Sequence, residues 1–415
     1  MRKQIIKKIK RCRVCKSTKL INVLQFGMTP LANAFLKKEQ LDLPEVFYPL
    51  EVYFCENCTF LQLGHVVSPE LLFKNYVYVS STSPVFANHF KEFATQMIKR
   101  FDLNKKSLVV DIGSNDGILL KPFQEQGVRV LGIEPAAHIA KIAKRDGIET
   151  EAKFFSINLA KQIVKRRGKA KIVTGTNVFA HIDDLDEVIK GVNEILTDDG
   201  VFITESPYLV DFLKKRYFDL VYHEHLSYWA IEPLIKLFNR FGMAVVDAQK
   251  VPVHGGSIRV FAVKGRRLKE TNAKVKVFQD LEQEMQLSDI NTYLKYASKI
   301  LENKKRLISL LTNLKLKGNR IVAYGAPAKS NTLLNYFKIG KEFIDYIVDD
   351  SPLKQGLFTP GTHIPVVPPT RFKKDNPQFL FILAWNFAGP ILKRHGWFKD
   401  KGGKFIIPVP SPKII

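Results

Sequence analysis

Cysteine is scarce in this chain: there are four in 415 residues and none after Cys58. A disulfide framework spanning the chain is therefore excluded. No stretch of about 18 consecutive apolar residues occurs, so no membrane-spanning helix is expected. The first residues, MRKQIIKKIKRCRVC, are basic but lack an apolar core. No secretory signal is expected from them, and a cytoplasmic location is. No G-x-G-x-x-G turn opens a βαβ unit, which argues against a nicotinamide-dinucleotide fold. Acidic residues are also in deficit, 40 against 64 Lys and Arg, giving a net charge of +24. That surplus is scattered through KKIKR near the start, KRR at 165–167, GRRLK at 265–269 and KLKGNR at 315–320. Dispersed charge favours anionic small molecules over a nucleic-acid stripe. The 30 Phe residues do not form an RNA-recognition signature, so they add nothing for RNA.

What is present is length enough for two or three domains, with 46% hydrophobic residues to fill their cores. The four cysteines form two C-x-x-C pairs, Cys12/Cys15 and Cys55/Cys58. Two such pairs suit one tetrahedral zinc ion, the intervening insertion folding out as a hairpin or loop. Four thiolates leave no open coordination position, so the metal is expected to be structural. A helix is expected from Ser68. It leads into a crowded polar arm containing Tyr76, Tyr78, Ser80, Ser81 and Ser83, which reads as a linker or as a cover for a site.

A helix is expected over about 86–100. LVVDIGSNDGILL, at 108–120, then reads as a buried strand, a tight turn and an apolar helix. The glycines let a ligand approach the backbone. VRVLGIEP ends a second strand at Glu134, where a carboxylate can accept from both hydroxyls of a ribose. KIVTGTNVFAHIDD ends a third strand at Asn177 and His181, and GVFITESP ends a fourth at Glu205. Such alternation predicts a parallel sheet with its ligand at the carboxyl ends of the strands. The stretch resembles class I S-adenosylmethionine (SAM) methyltransferases. The resemblance implies SAM contacts from Asp111, Gly113, Ser114, Asn115, Asp116, Gly117, Glu134, Pro135 and Asn177.

After the fourth strand comes YHEH, Tyr222 to His225. Its chemistry is that of acid/base work, a packed polar cluster or a metal site, and the absence of a spare cysteine disfavours metal. As an acid/base site it would remove a proton beside a ketone. His225 has the right ordinary pKa for the base, Glu224 could orient an imidazole or exchange a proton, and Tyr222 could donate to the enolate oxygen. His181 and Asn177 could complete the pocket, and Tyr76 could close it.

The chain as a whole resembles the nucleotide-sugar 3-C-methyltransferases of tetronitrose and mycarose biosynthesis. The matching segments are both C-x-x-C pairs, PLAN at 30–33, Y-x-Y-x-S-S-x-S at 76–83, DIGSNDG, NVFAH at 177–181, YHEHLSYW and AYGAPAKSNTLLNYF at 323–337. The resemblance implies methylation of C3 of a nucleotide-linked 4-keto sugar, most simply a dTDP sugar, through an enolate. It implies catalytic roles for Tyr76, His181, Tyr222, Glu224 and His225. AWNFAGPILKR departs from the family pattern, with Gly389-Pro390 where a Glu usually stands.

VPVHGGSIRVFAVKG reads as a hairpin closing the core, and an amphipathic helix follows over about 287–316. GNRIVAYGAPAKSNTLLNYF then repeats the strand–glycine–helix design. Lys329, Ser330 and Asn331 at that helix start suit a phosphate, with Tyr78, Ser80 and Ser83 expected to add substrate contacts from the arm. The expected organisation is a zinc domain at 1–84, a Rossmann-like SAM core at 85–248 and a second Rossmann-like α/β domain at 249–415, acting as a monomer. The rival functions are a nucleic-acid methyltransferase and a non-catalytic SAM-binding scaffold.

Overall fold

Leu108–Ile112, LVVDI, is buried at every position. A strand covered on both faces belongs inside a parallel sheet flanked by helices. The computed structural model, which describes residues 5–73, 81, 84–265 and 272–415, puts it there. The seven-stranded sheet runs, in spatial order, Met243–Val251, Ser257–Lys264, Leu196–Pro207, Ala170–Thr176, Leu108–Ile112, Arg129–Ile133 and Thr150–Glu151. The last five are mutually parallel, and the first two form an antiparallel hairpin on one side. Strand order reverses beside Leu108–Ile112, so the loop after it opens at the switch point, where ligands bind.

The expected domain boundary at 248 falls inside Met243–Val251. The partner of that strand, Ser257–Lys264, joins it to Leu196–Pro207. The sheet therefore runs on to Lys264, because Val260, Phe261 and Ala262 are core residues of this sheet.

The insertion between the cysteine pairs folds as an antiparallel hairpin, Leu20–Thr29 with Tyr48–Cys55. Leu61–Leu63 adds a third strand, and Ser227–Tyr228, from far along the chain, adds the fourth. The zinc hairpin and the YHEH loop thus share a sheet.

A second sheet of six strands has the order Val366–Val367, Ile347–Val348, Ile321–Tyr324, Phe379–Ile382, Lys404–Ile407 and Lys413–Ile414, antiparallel only at the last pair. The helix Ala328–Phe337 follows its central strand. The long helix Ile290–Leu316 buries Tyr293, Tyr296, Ile300, Leu307, Leu311 and Leu314, one face at helical spacing. Ala328–Phe337 packs Phe337 on Phe218 at 5.0 Å and Tyr336 on Phe26 at 4.7 Å. Asn331 donates to the carbonyl of Ala32 at 2.5 Å, and Thr332 to that of Val221 at 2.7 Å. The helix start is thereby fixed to both the PLAN segment and the approach to YHEH. Among the described residues no helix is long and apolar enough to cross a membrane.

Candidate active site

The four thiol sulfurs lie within 4.8 Å of one another, with Cys12–Cys58 at 3.5 Å and Cys15–Cys55 at 3.6 Å. Zinc–sulfur bonds of about 2.3 Å in a tetrahedron require sulfurs ~3.8 Å apart, so the cluster fits the ion. Among the described residues it is the group of metal-ligating side chains that converges.

At the glycine loop the amides of Gly113 and Ser114 both donate to the carbonyl of Ile133, at 2.8 and 3.1 Å. Gly113 has φ +71°, and a Cβ there would stand 2.6 Å from Val178. The turn is therefore closed to any side chain at that point. Glu134 is buried at the end of the neighbouring strand and accepts from the amides of Asn115 at 3.0 Å and Ala136 at 2.8 Å. Burial raises its pKa, against the lowering effect of those amides. Asp111 accepts from Thr174 at 2.6 Å, and burial pushes its pKa up to about 7. Ser114 Oγ, Asp116 Oδ1 and Asn177 Oδ1 are buried with no partner among the described residues. A cradle without room for a Cβ, lined with unsatisfied polar atoms, fits the polar rim of a nucleoside-bearing cofactor.

Asp116 also accepts from the amide of Ser81 at 3.0 Å, so this residue of the arm reaches the loop. Tyr76, Tyr78, Ser80 and Ser83 lie outside the described residues. Pro135 follows Glu134 in the turn and is half-buried. Asn177, at φ +57°, donates its amide to the carbonyl of Glu205 at 2.7 Å and turns the chain toward His181. The carboxylate of Glu205 is fully buried between His89 at 2.8 Å and Arg259 at 3.0 Å. Burial opposes its ionisation, but those two partners hold it below the usual carboxylate range.

YHEH is a turn, closed by the amide of His225 donating to the carbonyl of Tyr222 at 2.9 Å. The turn separates the histidines. His223 is buried edge-on to Tyr48 at 5.8 Å, and burial pulls its pKa down to about 4. His225 Nδ1 lies 2.7 Å from the carbonyl of Leu220, and its Nε2 lies 2.7 Å from the hydroxyl of Tyr222. A carbonyl only accepts, so Nδ1 carries a proton, and when the ring is neutral Nε2 accepts from Tyr222. The ring of His181 stands 5.1 Å away, centroid to centroid. Tyr222, His225 and His181 are thus brought together as expected. Among the described residues Glu224 bonds to no imidazole: Asn33 donates to its Oε1 at 2.7 Å. Burial pushes Glu224 up to about 7, against that hydrogen bond.

At the second α/β unit the expected phosphate ligands are engaged internally. Lys329 is buried, donates to Asn386 Oδ1 at 2.5 Å and lies 3.8 Å from the centroid of Trp385. Burial lowers its pKa to about 8, against the raising effect of Asp219. Trp385 donates to the buried Asp219 at 2.6 Å. Ser330 donates to the carbonyl of Pro327, and Asn331 to that of Ala32. Gly389 has nothing within 4 Å of a built Cβ, so the departure there leaves open space.

Sequence reasoning passed over Asn33, Asp219, Trp385 and Asn386. Asn33 sits in the PLAN segment, but no local pattern links it to Glu224, 191 positions away. Trp385 and Asn386 follow the strand Phe379–Ile382, and polar residues just past a parallel strand were the available sign.

Three family models match in series. One described as "Putative zinc binding domain" covers residues 12–73, a methyltransferase domain covers 86–248, and a C-methyltransferase C-terminal domain covers 252–410. C-methyltransferase NovU of Streptomyces niveus is 36% identical over 411 residues, 99% of this chain and 98% of that protein. A ubiquinone biosynthesis O-methyltransferase of Pelagibacter ubique (strain HTCC1062) is 24% identical over 153 residues, 35% of this chain and 62% of that one. Among solved structures, magnesium protoporphyrin IX methyltransferase from Synechocystis PCC 6803 with bound SAM matches 43% of this chain and 80% of its own, at 14% identity and a TM-score of 0.34.

Proposed function

Because the chain belongs to the C-methyltransferase family and is a SAM-dependent enzyme with a class I fold and an N-terminal zinc-binding domain, we propose that it methylates C3 of a nucleotide-linked 4-keto deoxysugar, through an enolate, in the cytoplasm. The observation that carries this reading is the Leu220–His225–Tyr222 chain of hydrogen bonds. It commits Nδ1 as a donor, so that in the neutral imidazole Nε2 is the nitrogen that can accept a proton. The sugar itself rests on the whole-chain motifs quoted above.

SAM, when bound, supplies a methyl group on a positively charged sulfur. The turn Gly113–Gly117 and Glu134 would hold its nucleoside end, with Asp111, Pro135 and Asn177 shaping the same rim. His225 Nε2 takes the proton from C3 as the substrate displaces the Tyr222 hydroxyl from it. The C3–H pair moves into the enolate, whose oxygen the freed Tyr222 hydroxyl stabilises as a donor. The enolate carbon C3 would then be the nucleophile toward the methyl group that SAM supplies, and His225 would pass its proton to solvent. His181 stands beside His225, and Tyr76 is proposed as a further catalytic-site residue. Glu224, with its raised pKa, can exchange a proton near neutrality. Zinc, when bound to its four cysteines, holds the hairpin whose sheet continues into Ser227–Tyr228.

The second α/β unit is proposed to hold the nucleotide diphosphate. The phosphate would meet the start of Ala328–Phe337, where Lys329 would have to exchange Asn386 and Trp385 for it and Ser330 and Asn331 would have to give up Pro327 and Ala32; Tyr78, Ser80 and Ser83 are proposed as further substrate contacts.

The test is incubation of the zinc-loaded protein with methyl-labelled SAM and a panel of dTDP- and UDP-linked 4-keto deoxysugars. Label on C3 of one of them is expected. Label in added RNA or DNA instead, or no turnover with any acceptor, would replace the proposal with the nucleic-acid or the scaffold reading.

A further inference from the structure

We infer that Arg13, inside the first cysteine pair, is a positioning residue that sets the spacing of the two loops carrying His181 and His225. Its side chain is 3% exposed. Nε donates to Asp183 Oδ1 at 3.0 Å. One terminal nitrogen donates to Leu63 O at 2.8 Å and Gln62 Oε1 at 3.2 Å, and reaches Leu226 O at 3.4 Å. Asp183 follows His181 by two residues, and Leu226 follows His225 directly. One planar group therefore grips the chain just beyond each of two imidazoles that stand 5.1 Å apart.

Arg13 is itself held at both ends. Its amide donates to Gln62 Oε1 at 3.0 Å. The surrounding turn is closed by Cys12 N to Ser17 O at 2.8 Å and Lys16 N to Cys12 O at 3.0 Å. The carbonyl of Leu226 is shared, since Leu63 N donates to it at 2.9 Å. Asp183 has a second partner in Lys7 at 3.5 Å, but that lysine is 62% exposed and its pull is weak. The cysteine-bearing turn thus fixes the root of a rigid planar group whose Nε and one terminal nitrogen locate both loops, the other terminal nitrogen being buried without a partner among the described residues. Lysine cannot reproduce it, because a single ammonium offers no planar pair of directed donors. The chemical roles of the two imidazoles rest on the proposed function; their spacing does not.

The full-length, zinc-loaded protein, labelled with 13C at histidine Cε1, supplies the test as wild type, Arg13→Lys, Arg13→Gln and Asp183→Asn. His181→Asn and His225→Asn assign the resonances. With zinc content equal to wild type in all variants, both Arg13 substitutions are expected to shift the signals of His181 and His225. The signal of His395, enclosed by Tyr324 and Phe372 in the second α/β unit, is expected to stay in place. Asp183→Asn is expected to move His181 alone. Methyl transfer in Arg13→Lys should lose on the order of 100-fold in kcat at an unchanged KM for SAM, the scale of a misplacement of about 1 Å. Signals of His181 and His225 that superimpose on wild type in Arg13→Lys, or that move no more than that of His395, would overturn the inference. Should Arg13→Gln fail to fold, Arg13→Lys carries the same expectation and the same overturning result. If the wild type methylates no ketosugar, the proposed function fails while the resonances still decide the role of Arg13.

Discussion

Asn33 donates its side-chain amide to Glu224 at 2.7 Å and so joins the N-terminal domain to the YHEH turn. The carboxyl of Glu224 is buried, with its pKa raised to about 7, and Asn33 is what opposes the rise. Asn33→Ala removes a donor to the charged form, so the pKa of Glu224 should climb further, by about 1 unit. The carboxyl stretching band of Glu224, followed by infrared difference spectroscopy against Glu224→Gln, reports it. A titration unchanged from wild type would show that Asn33 exerts no such hold.

Cys55→Ser should release zinc and open the hairpin Leu20–Thr29 with Tyr48–Cys55. Structural zinc contributes on the order of 10 kcal/mol to a fold of this size. Elemental analysis and amide exchange over the hairpin read the two effects together. Retained zinc with native protection would contradict the structural assignment.

Glu134→Ala should weaken binding of S-adenosylhomocysteine by about 10- to 100-fold, the range for lost hydrogen bonds to a charged acceptor. Calorimetry measures it directly. Wild-type affinity would remove Glu134 from the cofactor site.

Glu282 gives a prediction about stability. It accepts from Tyr208 at 2.9 Å and from the amide of Ile231 at 2.6 Å, so it caps the helix Ile231–Asn239. Burial pushes its pKa from 4.5 to about 7, against those bonds. The folded protein therefore binds this proton more tightly than the unfolded chain. The contribution is full below pH ~4.5 and is lost as pH rises to about 7, by about 3 kcal/mol at most. Urea melts of Glu282→Gln should show a flatter dependence across that window than wild type. An identical dependence would assign the titration elsewhere.

Much of the site was legible because local geometry demanded it. The D-x-G turn needs a left-handed residue where Gly113 stands, and a parallel strand delivers Glu134 to the side of that turn. The cysteine pairs name their own ion. What was not legible depends on contacts between distant segments. Lys329 reads as an open phosphate ligand until Trp385 and Asn386 are seen against it. The spacing of YHEH does not set its conformation; the amide of His225 closes the turn, and His223 packs on Tyr48. The boundary expected at 248 agrees with the family models, which cover 86–248 and 252–410, while the sheet itself runs on through the hairpin to Lys264.

The strand Ser227–Tyr228 completes a sheet whose other three strands are finished by Leu63. During synthesis the zinc hairpin therefore emerges with one edge unpaired and keeps it so until the ribosome has passed residue 228. A fragment ending before that point would carry the metal ligands yet expose the backbone of Leu61–Leu63, an edge ready to recruit another nascent chain.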